Sequence, residues 1–210
     1  MSDTTRRGSY AKGIAKREEI LTEALRVIAE AGLHGASVKA IAEAVDLSPA
    51  GLLHYFGSKE ELFTEVLRKR DERDSQQFSG LTYEELLAIL SAPGPEIPYD
   101  VDTARQLFTE LTAANAKVPG LLHLFSQLAV DAADPEHPAH AFFLQRSELF
   151  HTLFSAIVEE HQEAKGETRV DPQVAARMLH ALADGLQLQA LLEPDLDMAK
   201  IADAFFELIL

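Results

Sequence analysis

Apolar residues recur every three or four positions along almost the whole chain, and this periodicity limits the possible folds more than any other feature of the sequence. In the first clear run, Ile20, Leu21, Ala24, Leu25 and Ile28 fall on one face of a helix. No segment alternates apolar and polar residues over more than a few positions between turn signals, which is the pattern of a half-buried strand. The sequence therefore predicts an all-α fold of about nine to ten helices.

Cap residues and breaks divide the periodic pattern into separate helices. Ser48 and Asp171 are each followed by a proline, which favours the first position of a helix, and Ser58 with Glu61 has the spacing of a capping box. The first helix is expected to stop at Gly32 and Gly35. The helices predicted next span about 38–45, 49–55, 58 to 73 or 78, and 83–90. After a break at 93–95, the remaining predicted helices span about 100–116, 119–132, 138–163, 172–192 and 197–210.

Composition excludes several classes of protein. The chain of 210 residues contains no cysteine, so disulfides, thiolate zinc sites, iron–sulfur clusters and cysteine nucleophiles are excluded. Its 47% hydrophobic and 25% charged residues are typical of a globular protein. No apolar run approaches the ~18 residues that a membrane span needs, so we expect a soluble, cytoplasmic protein with no membrane partner.

The charge of the chain is unevenly distributed. A net charge of −15 at first argues against a nucleic-acid partner, because proteins that neutralise phosphates usually carry a basic surface. The first 73 residues, however, carry twelve basic and twelve acidic side chains, which leaves seven basic and 22 acidic ones for residues 74–210. The entire negative excess lies in the later part, and this asymmetry indicates two functions in one chain.

The pair of short helices near residues 38–45 and 49–55 has the dimensions of a helix-turn-helix. Such a pair needs neighbouring helices to bury its apolar faces, and its second helix then projects outward, where it can enter a major groove. Helix spacing alone does not distinguish a DNA-binding pair from a scaffold pair.

Three segments of this region, 37–42, 47–56 and 58–62, resemble the DNA-binding head of the TetR family of transcriptional regulators. The resemblance is dense over about residues 14–70, and the run from Tyr55 to Glu60 is its most specific part. It implies a DNA-binding domain at 1–58, a regulatory and dimerisation domain at 59–210, and a helix from residue 59 that links the two. It also implies a homodimeric repressor that binds a palindromic operator and is released by a small molecule.

The later segments 134–138 and 184–189 resemble the regulatory domain of one large branch of that family, whose ligands are diverse. Gly51 and Leu53 stand where threonine and tyrosine are frequent in the family, so two hydroxyls are missing from the recognition helix. Leu53 can still pack against a thymine methyl group.

Candidate DNA contacts follow from the positions of polar residues and helix ends. Ser37 and Lys59 stand at helix N-termini, where amide groups and a cation together bind phosphate, and Lys39 points outward by its spacing. The predicted contacts are Ser37, Lys39, Ser48, Pro49, Ala50, Gly51, Leu53, His54, Tyr55 and Lys59, whereas Leu52 and Phe56 are assigned to the core. Arg6, Arg7, Lys12, Lys16 and Arg17 form either a basic arm that reaches the DNA or an unstructured tail.

The acidic body supplies candidates for a ligand cavity and a dimer interface. Cavities between the helices of a bundle are frequent ligand sites, and polar residues beside apolar stripes can orient a ligand. The predicted ligand contacts are Phe108, Thr112, His123, Gln127, Phe143, Arg146, Phe150 and His151. The predicted interface, with packing inside one chain as its alternative, comprises Leu149, Leu153, Ile157, Leu179, Leu182, Leu186 and Leu191.

Two histidines three residues apart, His137 and His140, have the spacing of a metal-ligand pair, but Pro135 and Pro138 indicate an irregular helix start, so we expect no metal site. No catalytic motif is present, so we expect neither an enzyme nor a cofactor. Two alternatives remain open at this point: a ligand-binding or enzymatic helical protein with a scaffold helix pair, and a protein-interaction module that uses the acidic surface.

Overall fold

The computed structural model describes residues 3–31, 37–92 and 97–209, with side chains from residue 11 onward apart from that of Ala31. In these ranges the chain forms ten helices and no strand, so the predicted all-α fold is confirmed. The predicted breaks at Gly32, Gly35 and 93–95 lie outside the described residues. The helices are α1 (Asp3–Ala31), α2 (Val38–Ala44), α3 (Pro49–Leu53), α4 (Lys59–Ser79), α5 (Tyr83–Leu90), α6 (Val101–Ala116), α7 (Pro119–Asp131), α8 (His140–Lys165), α9 (Pro172–Leu192) and α10 (Met198–Ile209).

Serine hydroxyls begin the three helices of the helix-turn-helix region. Ser37, Ser48 and Ser58 each accept a hydrogen bond from the backbone amide three residues later, at 3.0–3.1 Å. These bonds satisfy amides that would otherwise lack a partner in the first turn. The cap positions recognised in the sequence are therefore the ones that the structure uses.

The first helix is longer than its apolar pattern predicts. It begins at Asp3, so Lys12, Lys16 and Arg17 belong to α1 and not to an unstructured tail, and contact of this segment with DNA stays a prediction. The side chains of Arg6 and Arg7 lie outside the described residues. The apolar pattern missed this extension because residues 3–19 carry few residues that need burial.

The core of the N-terminal part combines residues of the first four helices, α1 through α4, with residues of α7 and of the start of α8 in the body. We call it the head cluster; its buried residues include Ile20 and Ile28 of α1, Leu52 beside the turn, and Leu62 of α4, together with Phe125 of α7. Because α7 completes this core, the helix-turn-helix region rests directly on the body. The division at residue 58 stays a prediction.

A second apolar cluster, the body cluster, lies among α6, α8, α9 and α10, with Leu122 of α7. Phe108, Phe154, Leu179 and Phe206 are buried in it, and α8 packs against α9. Within the described ranges, none of the helices has the length and apolar character to cross a membrane.

Candidate DNA-binding face and effector cavity

The turn between α2 and α3 fixes the direction in which α3 projects. Asp46 adopts a left-handed conformation with φ of 55°, which turns the chain sharply between the two helices. Leu52 is fully buried and anchors α3 to the head cluster. The first residues of α3 are therefore turned to the surface, and Pro49 and Ala50 are exposed.

Two lysines flank α3 with their ammonium groups in solvent. Lys39 is 77% exposed and has only a long contact of 3.9 Å with Glu43, which contributes little at a surface. Lys59 is exposed in the first turn of α4, and its Nζ lies 5.6 Å from the centre of the Phe63 ring. An ammonium at the N-terminus of a long helix adds to the positive end of the helix dipole, which suits a phosphate.

The remaining predicted contact residues differ in exposure. His54, Ser37 and Ser48 are exposed, whereas Gly51 and Tyr55 are half-buried. Leu53 is half-buried as well, and it packs against the head cluster, so only part of its side chain is available to a base. All ten contacts stay predictions; Leu52 and Phe56 are buried in the core, as the sequence predicts.

Two cations of the segment that the sequence left as either a basic arm or an unstructured tail hold α1 against the helix-turn-helix. Lys16 donates from Nζ to the carbonyl oxygen of Val45 at 3.1 Å. Arg17 donates to the carbonyl oxygen of Tyr55 and lies 4.4 Å above the Phe56 ring. Lys16 thus joins α1 to the end of α2, before the turn, and Arg17 joins α1 to the segment that follows α3. No local pattern in the sequence predicts these contacts.

A cavity of about 220 Å³ lies in the body between α4, α6, α8 and α9; we call it the effector cavity. One wall is apolar and includes Phe108, Leu111, Phe150 and Phe154. The rings of Phe108 and Phe154 meet edge to face with centres 5.6 Å apart. Such a pocket, apolar with a few polar groups, is the usual form of a small-molecule site.

Charged residues of α4 and α8 form the polar wall. Asp71 accepts two hydrogen bonds from Arg70 on Oδ1, at 2.7 and 3.1 Å, and one from Arg146 on Oδ2 at 3.0 Å. Burial opposes ionisation of Asp71, but the two guanidinium groups outweigh it and hold the pKa of this carboxyl below its ordinary value. The ion pair to Arg146 joins α4, which begins at the DNA-binding face, to α8.

A pair of imidazoles stands beside the same wall. His180 of α9 lies with Nδ1 3.0 Å from Nε2 of His151 on α8, so one nitrogen donates and the other accepts. Burial, with Arg146, His151 and Arg177 acting in the same direction, lowers the pKa of His180 to about 4. His180 is therefore uncharged at neutral pH.

Four of the predicted ligand contacts line the effector cavity, namely Phe108, Thr112, Arg146 and Phe150. His151 does not line the cavity, but it is hydrogen-bonded to His180, which does line it. The other three require correction, because an apolar stripe does not reveal which helix it packs against. His123 and Gln127 are exposed on α7 away from the cavity, and Phe143 packs against Phe125 and Phe142 at the head cluster.

The predicted dimer residues face the interior of the chain to a large extent. Leu149, Leu153 and Ile157 line the cavity, and Leu179 and Leu186 are 1% and 2% exposed in the body cluster. Leu182 and Leu191 are half-buried and pack against the same cluster. The exposed apolar residues of α9 lie on another face and are Val174, Met178, Leu188 and Leu192. The interface predicted from these leucines is therefore corrected, since α9 has two apolar faces and the sequence led us to choose the inner one.

A helix-turn-helix with exposed cations, joined by one continuous helix to a body that contains a half-open cavity, is the arrangement of a DNA-binding transcriptional regulator. Residues 20–66 match the model of the bacterial regulatory proteins of the tetR family, and residues 101–210 match that of the C-terminal domain of BetI-type transcriptional repressors. The chain belongs to the TetR family. It is a DNA-binding regulator of the repressor type and not an enzyme.

Individual relatives agree with this classification. The HTH-type transcriptional regulator PksA of Bacillus subtilis is 25% identical over 179 residues, which are 85% of this chain and 80% of PksA. The crystal structure of a transcriptional regulator from Rhodococcus sp. Rha1 superposes with a TM-score of 0.60 at 25% identity, covering 92% of this chain and 95% of that one. FadR of Bacillus subtilis, solved in complex with stearoyl-CoA, shares the fold with a TM-score of 0.62 at 14% identity, covering 91% and 96% of the two chains.

Proposed function

We propose that this regulator is a homodimer that binds a palindromic operator through two copies of α3, and that a small molecule in the effector cavity releases it. The observation that carries the proposal is the position of α4. This helix begins with Lys59 at the DNA-binding face and supplies Arg70, Asp71 and Asp74 to the wall of the cavity.

The same helix gives a direct route between the two sites. Twelve residues separate Lys59 from Asp71, which is about 18 Å along a helix. A ligand that binds better to the form with α4 displaced lowers operator affinity, and linkage requires the operator to lower ligand affinity by the same factor. Such couplings are typically about 1–3 kcal/mol. FadR, a regulator of the same fold, was solved with a small molecule, stearoyl-CoA.

The DNA contacts proposed for each half-site follow from exposure. Lys39 and Lys59 bind phosphates on either side of α3, and the exposed Ser48, Pro49, Ala50 and His54 meet the groove. The acidic body, which carries the whole net charge, weakens contact with DNA outside these faces. We therefore expect weak non-specific binding and a shallow dependence of affinity on salt.

The exposed stripe of α9 is the proposed interface between two copies. Val174, Met178, Leu188 and Leu192 lie at spacings of four, ten and four residues, so they share one face of the helix, and Leu192 is 83% exposed. A contiguous apolar face on a surface helix marks an interaction site. Because α9 packs along α8, two copies would meet as a four-helix bundle with two-fold symmetry, which matches a palindromic operator.

Sedimentation and operator titration together test this proposal. The wild-type chain should sediment as a dimer and bind a palindromic duplex with two chains per site. The Leu188→Glu, Leu192→Glu variant should sediment as a monomer and bind the operator at least about tenfold more weakly, whereas Val130→Glu, a change at an exposed apolar residue of α7, should leave both unchanged. A wild-type monomer that binds the operator one chain at a time would refute the homodimer.

A further inference from the structure

The network of Arg70, Asp71 and Arg146 carries a surplus of positive charge. Both guanidinium groups bond the single carboxylate of Asp71. The Cζ atoms of Arg70 and Arg146 lie 5.1 and 4.8 Å from the centre of the Phe125 ring, so the same ring holds both cations close together. One carboxylate balances only one of the two positive charges, which leaves the network able to accept a second anion.

Arg146 has unused donors on the cavity wall. Its hydrogen bond to Asp71 leaves from Nε alone, whereas Arg70 uses both Nε and Nη2 on the same carboxylate. Nη1 and Nη2 of Arg146 have no hydrogen-bond partner in the described part of the chain, and its side chain, which lines the cavity, is 24% exposed. Because a guanidinium group presents its N–H donors as a planar fork, these two nitrogens suit a carboxylate.

A hydroxyl donor stands on the same wall. Tyr83 of α5 is half-buried at the cavity, and its hydroxyl has no hydrogen bond to a described residue. Burial, with the charge of Asp71 acting in the same direction and that of Arg146 opposing, raises the pKa of Tyr83, so the phenol keeps its proton and can donate it to a carboxylate. Tyr99 lines the cavity too, but its hydroxyl is buried and is not available to a ligand.

The other two carboxylates of the wall have partners of their own. Arg73, from outside the cavity, donates to Oδ1 of Asp74 at 2.9 and 3.1 Å. Gln187 donates to Oδ1 of Asp184 at 3.4 Å, and Nε2 of His180 lies 3.6 Å from Oδ2. Burial raises the pKa of Asp184 and so disfavours its charged form. A cationic ligand would therefore have only this carboxylate to bind.

The rest of the cavity wall is apolar. Leu111, Leu153 and three phenylalanines line it. The ring centre of Phe150 lies 4.5 Å from that of Phe154 and 6.2 Å from that of Phe108. An apolar ligand body gains free energy by leaving water for such a wall. Because the cavity is half-open, the wall determines the chemical class of the ligand and not its length.

We infer that the effector cavity binds a monocarboxylic acid with an apolar body, whose carboxylate is held by the terminal nitrogens of Arg146 and by the Tyr83 hydroxyl. The same arginine bonds Asp71 through Nε, so the ligand shares its anchor with α4, the helix that begins at the DNA-binding face. The inference rests on the proposed function for this regulatory role, whereas the binding itself can be measured without DNA.

Matched acids and amides test the ligand class by calorimetry on the full chain at neutral pH. The acids are 3-phenylpropanoic acid and octanoic acid, both anions at this pH, and each is compared with its primary amide, which has the same shape and no charge. The cation of 3-phenylpropylamine is the fifth compound. We expect at least one acid to bind at least about tenfold more tightly than its amide and than the amine. A smaller preference in both pairs, an amine that binds as tightly as the acids, or no binding of either acid at millimolar concentration would overturn the inference.

The Arg146→Gln variant tests the anchor. It should weaken the acid at least about tenfold and leave the matching amide within about twofold, because the amide does not use the charge. The control Arg169→Gln, which removes an exposed guanidinium group that does not line the cavity, should leave both unchanged. Unchanged acid binding in Arg146→Gln would refute its role as the anchor. An equal loss of acid and amide would refute it too, because a change in the shape of the wall affects both.

Should Arg146→Gln fail to fold, two milder variants replace it. Arg146→Lys keeps the charge but loses the planar fork, and it should weaken the acid by at least about threefold. Tyr83→Phe removes one donor and should weaken the acid by about fivefold, the usual effect of one net hydrogen bond. Unchanged acid binding in either variant would remove that residue from the site, and unchanged binding in both would overturn the inference.

Operator release separates this inference from the proposed function. If an acid binds with the predicted selectivity and weakens operator binding, both stand. If it binds with that selectivity but leaves operator affinity unchanged, the ligand class stands and release by this ligand is refuted. If the amine or an amide binds as tightly as the acids and releases the operator, the ligand class is overturned and the proposed function stands.

Discussion

Replacing Asp71 with alanine should destabilise the protein more than any exposed substitution, because this carboxylate is the common partner of two arginines. Its side chain is 14% exposed, and Arg70 beside it is 3% exposed. Without Asp71, the guanidinium group of Arg70 would remain buried without its carboxylate, and Arg146 would lose its bond to α4.

The expected magnitude follows from the burial of the pair. Removing one partner of a buried ion pair typically lowers the free energy of unfolding by about 3–5 kcal/mol, mostly because the other charge stays behind. Since domains are stable by about 5–15 kcal/mol, Asp71→Ala should remove a large fraction of the total. Exchanging all three residues for apolar ones, in Asp71→Leu, Arg70→Met, Arg146→Met, should recover most of the loss, because no uncompensated charge then remains.

Urea unfolding followed by circular dichroism measures these differences. The matched control is Glu167→Ala, which breaks the exposed ion pair with Arg169 at 4.0 Å and should change stability by less than about 0.5 kcal/mol. A loss below about 1 kcal/mol for Asp71→Ala, or a triple variant less stable than the single one, would show that the arginines are solvated and that the network has been misread.

Further predictions concern pH and the turn after α3. Between pH 6.5 and pH 4, the free energy of unfolding of the wild type should fall by up to about 3 kcal/mol more than that of His180→Gln. The reason is that His180 has a pKa of about 4 in the folded chain, so over this range the unfolded chain binds a proton there and the folded chain does not. Unfolding measured at a series of pH values would refute this prediction if the two proteins lost stability in parallel. Gly57→Ala should lower the free energy of unfolding, measured by thermal unfolding, by about 1–2 kcal/mol, because φ at this residue is +87°, a conformation that a residue with a Cβ adopts only at a cost. Gly13→Ala, in open space on α1, should instead be neutral or stabilising in the same thermal unfolding assay.

The sequence predicted the helices well because their signals are local. The caps at Ser48 and Asp171 are followed by prolines, and α5 and α9 begin and end where the apolar pattern places them. The family resemblance likewise rested on a continuous run of residues around Tyr55. These features need no knowledge of which helix packs against which.

The effector cavity and the exposed face of α9 were harder to predict, since both depend on packing between distant segments. Asp71 and Arg146 are 75 residues apart, and each alone has the pattern of a solvated charge on a helix. Tyr99 lies near a predicted break, where an aromatic residue gives no helical phase. Lys16 was left in either an arm or a tail because a run of cations near a terminus is usually exposed, whereas its bond to Val45 forms only when α1 meets the turn.

The most direct test of the account is operator affinity of the variant Lys59→Ala, His54→Ala, compared with Lys200→Ala, His123→Ala. Both pairs remove one exposed lysine and one exposed histidine, but the second pair lies on α10 and α7 of the body. Fluorescence anisotropy with an operator duplex selected from a random library should give at least about a tenfold loss for the first variant, with the salt slope reduced by about two, one for each copy of Lys59 in the proposed dimer. The second variant should bind like the wild type. Full affinity of the first variant, or an equal loss in both, would contradict the assignment of the DNA-binding face to α3 and the start of α4.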